Sequence, residues 1–425
     1  MKTLLKNCRL TNGMHNILIE DDKIIFIQKI AMSRKLFKKK RRLESESDEI
    51  IDIAGNLIIP GVIDPHVHVR DLEQADKEDW LSASKAALAG GITTIFDMPN
   101  TLPSTTNLVN LNLKRKAAEK SLINYKFYLG ATQNNINEIE EILKTDPSDI
   151  AGIKVFLAAS SSNEVIKDRE TLKSIFKVAR DFDKILVVHT ELQELLDIWH
   201  KRLHYKNILK HNALRNRQCA IRGTKLVLDL AYEVRNKLYI AHISTAEEID
   251  LIRAYKDSAD IFCEVTPHHL LLNESVLNEA GNNGKVNPPL RSEKDNEALR
   301  EAVIDGTIDI IGSDHAPHKL SEKEQEYLKA PSGFPGLETG LHLLLNEVNK
   351  GNLTIGKLVE LTSRNPAEIF NLENRGEIKV GNFADLTVID MNMKWKINAS
   401  RFISKAKYSP FDGMGIQGKV IMTFV

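Results

Sequence analysis

The chain has 425 residues, 42% hydrophobic and 27% charged, which suffices for one large core plus a smaller module and argues against disorder. Lysine plus arginine and aspartate plus glutamate both total 58, so no net field recruits nucleic acid or an anionic membrane surface. The three cysteines, Cys8, Cys219 and Cys263, are far apart without a CxxC spacing, no stretch approaches ~18 consecutive apolar residues, and residues 1–7 lead into charged sequence without a signal-peptide core; no disulfide framework, no membrane span and a cytoplasmic location are expected.

Residues 1 to about 53 read as short strands at 16–20, 23–27 and 50–53, interrupted by a polar insertion. That insertion carries a basic run at 34–42 followed by Glu44, Glu46, Asp48 and Glu49; with acids beside it and Phe37 its only aromatic, it reads as a solvated loop. The apolar run 57–63 ends in Asp64-Pro65-His66-Val67-His68. Side chains two apart on a strand share a face at roughly 6.6 Å, so His66 and His68 can converge on one metal ion. Two ordinary polar or core histidines are the alternative.

A helix is expected at 80–89, then a strand at 92–96 running into Asp97-Met98-Pro99-Asn100. The run 151–157 sets Lys154 inside an apolar strand, where burial disfavours the ammonium. Either a carboxylate pairs with it, or the neutral amine takes up carbon dioxide and the resulting carbamate bridges two metal ions; composition does not choose between these. Three further runs end in metal-binding residue types: 184–188 delivers His189, 238–241 delivers His242, and 308–313 delivers Asp314, with His315 and His318 just after. In a parallel β/α architecture such groups gather at the C-terminal strand ends.

The segment 200–222, with His204, His211, Arg215 and Arg217, reads as helical and surface-facing, or as a cap over the site. Residues 223–231 read as a helix, 330–339 as a glycine-rich loop before another, and 376–390 as strand, turn, strand. The expected fold is α/β: a distorted (β/α)8 TIM barrel over residues 57–370, flanked by a small β-sandwich module formed from residues 1–56 and 371–425.

The ordered series at 60–70 (PGVIDPHVHVR), 97–101 (DMPNT), 153–156 (IKVF), 264–269 (EVTPHH), 286–291 (VNPPLR) and 313–318 (SDHAPH) resembles the cyclic amidohydrolases and, within them, the dihydroorotases, over about residues 50–390. The resemblance implies two zinc ions per subunit: His66, His68 and Asp314 on one, His189 and His242 on the other, with carbamylated Lys154 bridging. Some members use an aspartate in place of the carbamate. It implies reversible hydrolysis of (S)-dihydroorotate to N-carbamoyl-L-aspartate in pyrimidine synthesis, Asp314 carrying the proton from the attacking water to the departing nitrogen, and it makes a homodimer possible.

Arg70 offers a planar fork of donors suited to a carboxylate. The resemblance adds Asn100 and His318 as further carboxylate contacts, Asn287 as a ring contact and the backbone around Gly333. Taken singly, Arg70 and His318 would read as surface residues and Asn100 as a turn former. His268 and His269 either support the metal ligands or pack in the core. Dihydroorotases usually have Glu-Pro-Gly after that arginine; here Asp71-Leu72-Glu73 follows, with an expected effect on loop closure or substrate tightness. Allantoinase and hydantoinase or dihydropyrimidinase would share the metal site, and Arg70 with Asn100 discriminates against them. An inactive scaffold relative would be expected to have lost ligands, and here every ligand position holds a competent residue.

Overall fold

The computed structural model describes residues 1–30, 43–145, 147–159, 164–203 and 206–425. The basic run at 34–42 and His204 lie outside the described residues.

Eight parallel strands form the central sheet: β6 (Val62–Val67), β7 (Ile92–Asp97), β8 (Asn124–Gly130), β9 (Ile150–Phe156), β10 (Ile185–His189), β11 (Leu238–Ile240), β12 (Ile261–Val265) and β13 (Ile310–Ile311), in sequential order. Between β13 and β6 the barrel closes through a single bridge, Val67 to His315, with the His68 N–H donating to the His315 carbonyl at 2.8 Å. Their near-continuous burial is what strands covered on both faces require.

Helices follow each strand, including Trp80–Ala89, Arg169–Asp181, Arg217–Val234 and Glu293–Asp305. Arg169–Asp181 turns Leu172, Ile175, Phe176 and Ala179 inward at helical spacing, and Asp79 and Ser292 start their helices with reciprocal capping boxes. Register decides which residues face the barrel axis. Ile63, Phe96, Tyr128, Val187, Tyr239 and Ile310 fill the interior, closed off by Phe370. Lys154 is paired in register with Val187, so the pleat places it among them.

The terminal segments form one separate seven-stranded sheet. Its strands are β1 (Lys2–Leu10), β2 (Gly13–Glu20), β3 (Lys23–Lys29), β4 (Glu49–Asp52), β5 (Leu57–Pro60), β14 (Leu386–Lys396) and β15 (Gly415–Phe424), ordered β15-β14-β5-β1-β2-β3 with β4 also on β1. β5 lies between β1 and β14 and leads through Gly61 directly into β6, so the two sheets share a seam at the start of the barrel. A Cβ at Gly61 would lie 2.2 Å from Thr93 Oγ1, which is why the chain crosses there on a glycine.

Candidate active site

The strand ends bring the expected metal-type residues together. His66 Nε2 lies 3.3 Å and His68 Nε2 3.2 Å from Asp314 Oδ1, and all three ligand atoms fall within 4.8 Å of one another. Beside them His189 Nδ1 faces His242 Nε2 at 3.0 Å, and the His66 and His242 ring centres are 5.3 Å apart. His66, His68, His189, His242, Asp314 and Arg70 line one cavity, together with Asn287 and Gly333.

On three of the four rings the nitrogen opposite the cluster is engaged by an acceptor that fixes its tautomer. His66 Nδ1–H donates to Glu264 Oε1 at 2.8 Å, His68 Nδ1–H to Asn100 Oδ1 at 2.7 Å, and His189 Nε2–H to Glu191 Oε2 at 3.1 Å. The lone pairs of His66 Nε2, His68 Nε2 and His189 Nδ1 therefore point inward, as metal coordination demands. Burial pushes His68 down to about 3 and His242 well below its ordinary value, so these two rings are neutral at pH 7. Burial raises Asp314, whereas the adjoining His66 and His68, if protonated, would draw it well below the usual carboxylate range.

Lys154 is fully buried, its Nζ has no hydrogen-bond partner among the described residues, and burial lowers it to about 8 against the pull of Glu264 and Asp314. His242 Nδ1 is likewise unpartnered. Converging imidazole nitrogens, a buried aspartate and an orphaned buried amine fit divalent metal ions. Arg70, His242 and Asp314 also carry left-handed backbone, with φ of +68°, +36° and +46°. Non-glycine residues hold such angles at a cost on the order of 1–3 kcal/mol, and only where the surroundings enforce them.

The residues expected to grip an acid are placed as follows. Arg70 is buried, its Nε–H donating to Pro317 O at 3.3 Å and its Nη2 lying 3.2 Å from His318 Nε2. Arg70 Nη1 has no partner among the described residues. Burial, with Arg70 adding to it, takes His318 down to about 3, and Ser332 Oγ bonds Asn287 Oδ1 at 3.1 Å. Asn100, expected at the substrate, has its carbonyl oxygen on His68.

The segment expected to face the surface is buried at two key positions. His211 joins Val286 O to Tyr327 Oη, both at 2.8 Å, and Arg215 Nη2 binds Glu191 at 2.5 Å behind His189. A local hydropathy pattern could not reveal this, because the partners come from distant loops. His268 packs its ring 4.9 Å from Phe334, while His269 lies 3.0 Å from Pro288 O; neither reaches the metal-type residues. The altered loop after Arg70 is pinned: Asp71 accepts from Leu72 N at 2.6 Å and Trp80 N at 3.0 Å, and Glu78 binds the hydroxyl of Ser404.

Glu264 and Glu191 went without a role in the sequence reading. Glu264 carries the same signal as Lys154, a charge inside an apolar strand, and it also accepts from Tyr239 Oη at 2.7 Å and His242 N at 3.0 Å.

A parallel barrel that gathers imidazoles and one aspartate around a buried lysine at its strand ends is the framework of a hydrolase with a site that could hold metal. The amidohydrolase family matches residues 57–425, and the chain belongs to that family. A protein named dihydroorotase from Methanosphaera stadtmanae is 36% identical, covering 99% of this chain and 94% of its own length; another from Pediococcus pentosaceus is 33% identical, covering 100% and 98%. The solved L-hydantoinase (dihydropyrimidinase) of Arthrobacter aurescens matches with a TM-score of 0.91 at 32% identity, over 100% of this chain and 94% of that one. Among the described residues no helix is long and apolar enough to cross a membrane.

Proposed function

We propose that the enzyme is a dihydroorotase, opening (S)-dihydroorotate to N-carbamoyl-L-aspartate and closing it again. The observation that carries this reading is Arg70: a buried guanidinium on the wall of the metal-type cavity, with one nitrogen left unpartnered among the described residues. Such a group asks for an anion. Dihydroorotate brings a carboxylate; dihydrouracil, the hydantoinase-type alternative, does not. The naming of the relatives from Methanosphaera stadtmanae and Pediococcus pentosaceus supports the same substrate.

In this reading His66, His68 and Asp314 would hold one zinc ion and His189 and His242 a second, with Lys154, as a carbamate, a ligand available to both. Bound there, the ions supply Lewis acidity, bringing the pKa of water toward ~7 and polarising the ring carbonyl. Lys154 contributes an amine ready for carbon dioxide: burial lowers it to about 8, so far more of it is neutral near physiological pH than of an ordinary lysine. Asp314 accepts the proton of the attacking water and returns it to the ring nitrogen as that bond breaks. Arg70 and His318 orient the carboxylate, with Asn287 and the Gly333 backbone framing the ring and Asn100 steadying His68. A cytoplasmic setting agrees with three buried, free cysteines.

The test is a metal-replete assay of dihydroorotate, dihydrouracil and allantoin side by side. Dihydroorotate is the expected substrate. Opening of dihydrouracil while dihydroorotate stays inert overturns the assignment.

A further inference from the structure

We propose that Tyr408, carried by the segment between β14 and β15, is a positioning residue for the acid-gripping wall, acting with Lys323 to lock the backbone at Gly333 against that at His318. The inference rests on the dihydroorotase reading for its substrate.

Two loop segments make that wall, one running from Ala316 to His318 and the other from Pro331 to Phe334. They touch through backbone: Ala316 N–H donates to Phe334 O at 3.1 Å. At Gly333, φ is +119° and a Cβ would lie 2.7 Å from both Ala316 Cβ and Ala316 O, so the segments approach too closely for a side chain to separate them. No strand ladder fixes this pairing. Tyr408 Oη does so from outside, accepting from the His318 N–H at 3.2 Å and donating to Gly333 O at 3.3 Å. Its ring is buried with Phe334, Phe402 and Phe411, which holds the hydroxyl in place.

Lys323 supplies the second hold. Its ammonium is buried, 5.6 Å from the centre of the Tyr408 ring, and donates to Gly333 O at 2.9 Å, Pro331 O at 2.8 Å and Lys285 O at 3.4 Å. Lys285 Nζ continues the pattern, donating to Tyr327 O at 2.7 Å and Ala330 O at 2.5 Å. Burying an ammonium is expensive. Here both cations satisfy main-chain carbonyls of the loop that no regular secondary structure satisfies; an apolar residue in place of Lys323 would orphan Pro331 O and leave Gly333 O to Tyr408 alone, and one in place of Lys285 would orphan Tyr327 O and Ala330 O. Neither Tyr408 nor Lys323 lines the cavity, so their effect reaches the substrate only through the Gly333 and His318 backbone.

Tyr408→Phe in the full-length, metal-loaded enzyme removes one oxygen and keeps the ring packing. Its KM for dihydroorotate should rise about fivefold or more, since the hydroxyl's two hydrogen bonds are both lost and one neutral bond alone is worth about that, with kcat and metal content changed by less than about twofold. Amides of 331–334 should exchange faster. Lys323→Met should raise KM by more than about tenfold, as charge-assisted bonds are worth more, and Lys323→Arg should restore part of it. Unchanged KM and unchanged exchange in Tyr408→Phe overturn the proposal, as does a fall in kcat that tracks metal loss. Should Lys323→Met fail to fold, Tyr408→Phe decides. Should the unmutated enzyme leave dihydroorotate untouched, the substrate reading fails, while amide exchange in Tyr408→Phe still tests the clamp.

Discussion

The two walls of the cavity are built by different means. On the metal side, ligand-type residues sit on or directly after β6, β9, β10, β11 and β13, whose ladders aim the side chains, and Glu264, Glu191 and Asn100 orient the rings. On the side proposed to grip the acid, Arg70, His318 and Gly333 lie beyond the strand ends, and the backbone at His318 and Gly333 is held by a buried lysine and by a tyrosine brought from the C-terminal segment. Strand register suffices to converge several nitrogens. A carboxylate grip made of loop backbone needs separate, long-range supports.

The contrast predicts that damage to the metal side falls on kcat and damage to the other side on KM. Asp314→Ala should show the largest effect, a loss of about ten-thousandfold in kcat, because it removes a proton carrier and a metal donor together; a loss of less than about tenfold in steady-state assays would remove Asp314 from the chemistry. Lys154→Ala should cost about a thousandfold, with partial recovery on adding short carboxylic acids in place of the carbamate. Full activity without Lys154 would rule the carbamate out.

Arg70→Met should lower kcat/KM for dihydroorotate by about a hundredfold, mainly through KM, as expected for truncating one partner of a buried charge pair. An equal fall in kcat, with metal content intact, would break the division between the walls. Glu191→Gln should have the smallest effect of the four, weakening metal affinity about tenfold by loosening the His189 ring. Metal titration monitored by mass spectrometry reads this directly, and unchanged affinity would show that Arg215 and Glu191 merely pack.

How much of this was legible in the sequence follows the same divide. His66, His68, His189, His242, Asp314 and Lys154 stand out as charged or polar residues ending or interrupting apolar runs, and the βα alternation announces the barrel. Glu264 has that signature as well, and its role became clear only once β12 stood beside β11. Lys323 sits in a charged stretch, Lys319 to Glu324, that looks like solvated surface; its burial depends on carbonyls from a loop about ten residues further on and on Tyr408. His211 and Arg215 looked exposed for the same reason. The Asn100 contact joins residues 32 apart in sequence. β2, β3 and β4 could be read as strands, whereas β1 and β15 were not, only the second strand expected within 376–390 forms, and the placement of β5 between β1 and β14 is a matter of pairing that hydropathy does not encode.

That placement of β5, with Tyr408 beyond it, orders events during synthesis. A nascent chain extended through Asp314 already carries the whole metal-type cluster, whereas β14, the neighbour of β5, and Tyr408, the tether of the peptide groups at residues 318 and 333, are still to be made.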